Sequence, residues 1–272
     1  MVRKIIPIIL ANDFTDFKKK LVIINSLKPK AKMIQIDVSD GKFTSQKIFN
    51  QTNKIKNLDI PAFEAHLMVN DPLKHAKAWI MAGAKRILFH VEPFLENPSL
   101  TLPLFKSLSN SPFAKGREPL AGENSLYSPP LEKGGWGDLW KTINFIKQQN
   151  IEVGLCLNPE TPITILEPYL FSPSPYSSPT NGGRKNGWAI DCVLILCVTP
   201  GKSGQKFQGK NLAKIRALRK KYPNLPIEVD GGVNLNNAKK IFQAGATRLS
   251  AASAILNADN PQKAYTAFLK LI

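Results

Sequence analysis

Cysteine is scarce in this chain: Cys156, Cys192 and Cys197 are the three among 272 residues. None forms a Cys-x-x-Cys pair, and each lies in an apolar, strand-like stretch. They read as buried free thiols, which argues against a disulfide framework or a cysteine-based metal site. No apolar run approaches the ~18 residues that cross a bilayer. The first residues, Met1-Val2-Arg3-Lys4-Ile5-Ile6-Pro7, contain too short an apolar stretch for a secretion signal and no small-residue cleavage site. These absences predict a cytoplasmic protein with no membrane partner. Acidic residues are also few, 20 against 37 basic, for a net charge of +17. The excess does not predict a nucleic-acid partner. Its lysines (Lys18 to Lys20, Lys74, Lys77, Lys214, Lys239, Lys240) are scattered over presumed helix faces, and no basic run is interleaved with aromatics. A solvated lysine-rich surface is the simpler reading, and its positive field attracts a small anion.

What is present is an alternation. Hydrophobic residues make up 43% of the chain, enough for a sizeable core. Short β-rich runs begin near Ile5, Met33, Ala62, Arg86, Glu152, Cys192, Ile227 and Arg248. Amphipathic stretches lie between them, with helix signals at their ends: Asp13 before a helix reaching toward Leu27, Asp71-Pro72 and Gly83 around another, and Asn234 and Gly245 around a third. Near-continuous apolar strands alternating with helices imply a parallel sheet covered on both faces. Eight such units, in a length close to the ~250 residues of one barrel, favour a single α/β domain, a (β/α)8 TIM barrel. Two segments break the pattern. Residues 110–138 and 171–188 are rich in Ser, Pro and Gly and have no hydrophobic period. Each reads as a mobile loop inserted in the barrel rather than a domain, and neither is expected to be a lid. The first is expected to lie away from the strand carboxyl ends.

Barrel sites lie at the carboxyl ends of the strands. Strand two delivers Gln35 and Asp37, two apart and so on one face. Strand three delivers His66, strand seven Asp230. Two carboxylates and a histidine converging on one cavity suit a divalent metal such as Zn²⁺, Mn²⁺ or Fe²⁺. Taken singly, each aspartate is equally well read as the cap of a turn. Gly201 to Gly204 and Gly231-Gly232 leave backbone amides bare for an anion, and Ser253 adds a hydroxyl. Loops after strands seven and eight of such barrels often hold a phosphate. Turn chemistry alone also accounts for each glycine pair.

Several runs together resemble the ribulose-phosphate 3-epimerase family: Pro7-Ile8-Ile9-Leu10-Ala11-Asn12-Asp13-Phe14, Asp37-Val38-Ser39-Asp40-Gly41-Lys42-Phe43, His66-Leu67-Met68-Val69, Leu157-Asn158-Pro159-Glu160-Thr161-Pro162, Pro200-Gly201-Lys202-Ser203-Gly204-Gln205-Lys206-Phe207 and Ile227-Glu228-Val229-Asp230-Gly231-Gly232-Val233-Asn234. The similarity spans nearly all of the chain outside the two insertions. It implies a barrel of the ribulose-phosphate binding type, in the pentose phosphate part of carbohydrate metabolism, interconverting D-ribulose 5-phosphate and D-xylulose 5-phosphate. It implies Asp37 and Asp230 as the acid–base pair, and a divalent cation (Zn, Mn, Fe or Co) on Gln35, Asp37, His66 and Asp230. Phosphate contacts are implied at Gly201, Ser203, Gly204, Gly231, Gly232 and Ser253, as is a homo-oligomer. The chain also differs from the family pattern. Gln35 stands where the family has a histidine, Ile8 where it has a serine and Ser39 where it has a methionine. Lys202-Ser203 replaces a bulky apolar residue and a glycine, and Ala252 replaces a glycine. Three readings stay open: this epimerase with altered metal use, an epimerase of another ketose phosphate such as allulose 6-phosphate, or a barrel that binds a sugar phosphate without turnover.

Overall fold

A computed structural model describes residues 2–95, 135–171, 189–201 and 204–272. Most of the first expected insertion and nearly all of the second lie outside these residues, as do Lys202 and Ser203. Eight parallel strands close into a barrel in sequence order: β1 Lys4–Ile9, β2 Ile34–Ser39, β3 Phe63–Met68, β4 Arg86–His90, β5 Glu152–Leu157, β6 Cys192–Leu196, β7 Ile227–Asp230 and β8 Arg248–Ala251. β1 pairs with both β2 and β8, so no edge is left unpaired. The expected (β/α)8 architecture is present.

Alternation along the strands splits the buried residues into two sets. Ile5 and Ile9, Ile36 and Val38, Ala65 and Leu67 belong to the large core between the barrel and its helices. The opposite face points inward, where Leu88, Cys156, Cys192, Leu194, Leu196 and Val198 form a separate apolar cluster. The inside is crowded. A Cβ on Gly154 would sit 2.5 Å from Leu88 Cδ2 and 2.6 Å from Cys192 Sγ.

The helices follow their capping signals. α1 (Phe14–Ser26) starts where the Asp13 side chain accepts from the Asp16 amide, satisfying one orphan donor of the first turn. α2 (Pro72–Met81) has Asp71 as its cap and proline in its first turn, and it buries Trp79 completely. Truncating such a side chain to Ala costs ~3–5 kcal/mol. α3 (Trp136–Gln148) begins inside the range expected for the first insertion. After a 3₁₀ turn at Ile163–Leu166 comes a short α4 (Glu167–Phe171). α5 (Leu212–Lys221) and α6 (Leu235–Ala244) follow. Gly245, at φ 114°, ends α6 in the left-handed region, as glycine is suited to do. A four-residue α7 (Ser253–Leu256) and α8 (Pro261–Leu269) complete the chain. Among the described residues, no helix is long and apolar enough to cross a membrane.

The expected position of the first insertion, away from the strand carboxyl ends, falls largely on residues outside those described. Leu95 follows β4 through a 3₁₀ turn at Glu92–Phe94. Leu95 thus lies just past the carboxyl end of β4.

Candidate active site

The strand ends deliver the expected side chains to one place. Asp37, His66 and Asp230 line a pocket at the carboxyl mouth, about 500 Å³ counting its open side. Its wall includes Ile8, Met68 and Val198, and its rim includes Gly201, Gly204, Gly231, Gly232 and Ser253. All of the expected phosphate-binding residues within the described chain are thus on this pocket. Ile8, where the family has a serine, contributes an apolar surface.

The charged centre sits at the pocket floor. His66 Nδ1 lies 3.1 Å from Asp37 Oδ1 and 3.5 Å from Asp230 Oδ2. Gln35 is fully buried beside them. Its Nε2 donates to Asp37 Oδ1 at 2.7 Å and to Asp230 Oδ2 at 2.8 Å, and lies 3.3 Å from His66 Nδ1. The amide nitrogen thus occupies the point that the three other groups share. Gln35 Oε1, by contrast, is buried with no hydrogen-bond partner. An amide binds a cation through its oxygen, whereas here the Gln35 nitrogen faces the carboxylates.

Electrostatics follow from burial. Asp230 is held above the ordinary carboxylate range, first by loss of water and also by the neighbouring Asp37 charge, against the hydrogen bond from His66. Burial disfavours charge on the His66 imidazole. The Cys156 sulfur and hydrogen bonds to Asp230 and Asp37 outweigh it and hold the group well above its usual range. Burial pushes the Cys156 thiol up to about 11, so it is neutral at pH 7 and the carboxylates carry that effect. His90 goes the other way: burial holds it below the imidazole range, although Glu92 partly offsets this.

His90, Glu92 and Cys156 carried no role in the sequence reading beyond their strands. His66 Nε2 lies 3.0 Å from His90 Nε2, and His90 Nδ1 lies 3.0 Å from Glu92 Oε2. Their signal was available in the pattern His90-x-Glu92 at the end of a strand next to His66.

Among the described residues, two groups could hold a metal ion: Asp37, His66 and Asp230, with ligand atoms within 4.8 Å of one another, and His66, His90 and Cys156. The first offers two carboxylates and an imidazole, a donor set suited to Zn²⁺, Mn²⁺, Fe²⁺ or Co²⁺. The orphaned Gln35 Oε1 fits a cation too. Turned over, the amide would present an oxygen to the shared point, and only a positive charge there would favour it. The second group needs a thiolate from a thiol that burial keeps protonated, so it is the poorer site.

The glycines have a reason of their own. Gly231 and Gly232 have φ of 94° and 68°, in the left-handed region. A Cβ on Gly232 would lie 2.5 Å from the Phe207 amide nitrogen. Backbone conformation and packing therefore require glycine here whether or not an anion binds.

The family model for the ribulose-phosphate 3 epimerase family matches residues 4–112 and 184–256. This chain belongs to that family. The ribulose-phosphate 3-epimerase of Schizosaccharomyces pombe is 26% identical over 265 residues, covering 96% of this chain and 90% of that one. The Synechocystis ribulose-phosphate 3-epimerase is 29% identical over 260 residues, covering 93% of this chain and 87% of that one. Among solved structures, the 3-hexulose-6-phosphate synthase of Salmonella typhimurium superposes with a TM-score of 0.59 at 13% identity, covering 98% of this chain and 97% of that one. KGPDC from Streptococcus mutans gives 0.56 at 14% identity, covering 100% of this chain and 97% of that one. At such identities these two speak for the fold alone.

Proposed function

We propose that this protein epimerises D-ribulose 5-phosphate and D-xylulose 5-phosphate at C3, with Asp37 and Asp230 as the acid–base pair. The observation that carries this reading is the convergence of both carboxylates on one point, the Gln35 amide nitrogen, at 2.7 and 2.8 Å. They come from β2 and β7, so they approach the pocket from different walls. Inversion through a planar intermediate needs a base on one face of C3 and an acid on the other. One aspartate removes the proton as general base, and the other, protonated, returns it from the opposite face. Burial and the neighbouring Asp37 charge raise the Asp230 carboxyl, which suits it to the acid role.

Asp37, His66, Asp230 and the turned-over Gln35 would hold a divalent cation, which supplies stabilisation of the negative charge that develops on the substrate oxygens as the proton leaves. Before a cation enters, hydrogen bonds from the Gln35 amide nitrogen hold the two carboxylates about their shared point. Ile8, Met68 and Val198 keep bulk water from the reacting carbon. Gly201, Ser203, Gly204, Gly231, Gly232 and Ser253 receive the phosphate, with the protein's positive field drawing the anion in. The protein acts in the cytoplasm as a homo-oligomer of single-domain subunits, with no nucleic-acid or membrane partner.

Solvent exchange tests the reading. Protein with Zn²⁺ and D-ribulose 5-phosphate in D₂O should erase the C3 proton signal by NMR. No exchange at any metal loading would count against it. Ile8 and Ala252 lie on the pocket where the family has serine and glycine, which favours a second reading, an epimerase of another ketose phosphate. Exchange with allulose 6-phosphate but not ribulose 5-phosphate would establish it.

A further inference from the structure

Behind His66 the structure holds a chain of buried polar groups that the chemistry above does not use. Glu92 Oε1 accepts from the Asn158 amide at 2.7 Å and from the Thr161 hydroxyl. Glu92 Oε2 faces His90 Nδ1 at 3.0 Å, and His90 Nε2 faces His66 Nε2 at 3.0 Å. Both histidines are fully buried. Their rings are 28° from parallel, with centroids 5.1 Å apart, an arrangement that suits a hydrogen bond along the line of the two nitrogens. Phe43 packs on His90 at 4.9 Å between centroids, limiting rotation of that ring.

The direction of each hydrogen bond follows from the first. A carboxylate only accepts, so His90 Nδ1 carries the proton given to Glu92. His90 Nε2 is then a bare lone pair, and His66 Nε2 must donate to it. With the Nε2 proton committed to His90, the proton that His66 gives up when a cation enters is the one on Nδ1, the nitrogen that faces Asp37 and Asp230. We propose that Glu92, acting through His90, fixes the tautomer of His66 and so sets whether the Asp37–His66–Asp230 centre accepts a cation. Glu92 and His90 are positioning residues, and the idea rests on the reading of His66 as a metal ligand. Outer groups that orient a metal-bound histidine commonly matter 10–100-fold in affinity.

The test is a one-atom change. In Glu92→Gln the Asn158 amide can only donate, so the new side chain keeps its oxygen toward Asn158 and Thr161. Its NH₂ group then faces His90 Nδ1 and must donate. The relay reverses: His90 carries its proton on Nε2 and donates to His66 Nε2, and His66 carries its proton on Nδ1, toward the carboxylates. Co²⁺ alone, titrated by its visible absorption, should bind the variant about 10–100-fold more weakly than wild type. Nitrogen-15 NMR of histidine-labelled protein should show the proton on His66 Nε2 in wild type and on His90 Nε2 in the variant. Cys156→Ala should leave Co²⁺ affinity within about twofold, because in this scheme the ion does not sit between the two histidines.

A wild-type spectrum with the proton on His90 Nε2 overturns the proposal, and it does so even where Glu92→Gln fails to fold. So does unchanged Co²⁺ affinity in a folded Glu92→Gln, or a large loss in Cys156→Ala. Failure of wild type to bind Co²⁺ would instead sink the metal reading of the site, and the NMR result would still decide the direction of the relay.

Discussion

At the amino end of the barrel, Glu64 and Glu228 are fully buried beside Arg86 and Arg248. At the carboxyl end, Asp37 and Asp230 are almost as buried, beside one amide and one imidazole. Arg86 contacts Glu64, reaches Glu152 Oε2 at 2.5 Å and lies 3.9 Å from Glu228; Arg248 is 3.7 Å from Glu228, whose other oxygen accepts from Ser250 at 2.6 Å. The acids at that end face fixed guanidinium groups, which are never deprotonated in proteins, although burial and the Glu228 charge still hold Glu64 well above the ordinary carboxylate range. Among the described residues, no lysine or arginine bonds to Asp37 or Asp230. Two buried layers in one barrel therefore differ in purpose. The amino-end layer carries fixed guanidinium charge, whereas the carboxyl-end layer, among the described residues, holds a titratable imidazole and no guanidinium or ammonium group.

Substitutions at the two ends should therefore behave oppositely. The largest effect is on turnover. Asp230→Asn should lower the rate of C3 exchange by about 10²–10⁴-fold, yet leave the urea midpoint of metal-free protein equal or higher, because a carboxyl whose charge burial and Asp37 already disfavour becomes a neutral amide. A midpoint well below wild type would break the comparison. Next is Arg86→Met, which strands Glu64 and Glu228 without their main counter-charge and should cost ~3–5 kcal/mol of stability by urea unfolding. A smaller change comes from Gln35→His. An imidazole ligand in place of an amide should tighten Zn²⁺ binding by about tenfold or more, ~1.4 kcal/mol by calorimetry, and should raise exchange activity with it. If neither moves, the cation is not held where these four side chains meet.

The smallest effect is in the pH dependence of the metal-free protein. Burial opposes the charge on His66, but hydrogen bonds to the Asp230 and Asp37 carboxylates hold its pKa above that of the unfolded chain, ~6.5. Its contribution to stability is complete below ~6.5 and is lost as pH rises through the folded value. Burial depresses His90, with Glu92 only partly offsetting it. Below ~6.5 the unfolded chain takes up a proton there that the folded chain refuses, so stability falls with pH. The two contributions together place a maximum near pH ~6.5. Urea midpoints between about pH 5.5 and 9 should show it, and His66→Gln should remove the alkaline limb. A minimum at that pH would contradict both assignments.

The barrel was legible because eight apolar runs alternate with capped helices, and the caps at Asp13, Asp71 and Asn234 form as their residue types predict. Asp37, His66 and Asp230 were legible because strand-end carboxylates and a histidine stand out against apolar neighbours. Gln35 was placed correctly by period two, but no sequence rule states which end of an amide faces inward. That depends on the acceptors brought across from β7. His90 was hidden for a related reason. Its partners, His66 and Glu92, give it meaning only once β3 and β4 are side by side. The helices α7 and α8 went unread because their apolar stripes are short.

Gly154 has a consequence on a longer timescale. Its missing side chain leaves the room in which Leu88 and Cys192 meet across the barrel interior. Interior volume at this level is thus held in common by β4, β5 and β6. Gly154→Ala is closed to the lineage until Leu88 or Cys192 has first been shortened. Once the alanine is in place, regrowth of the shortened partner is closed in turn. The order in which substitutions arrive, and not only their sum, then decides which interiors descendants of this barrel can reach.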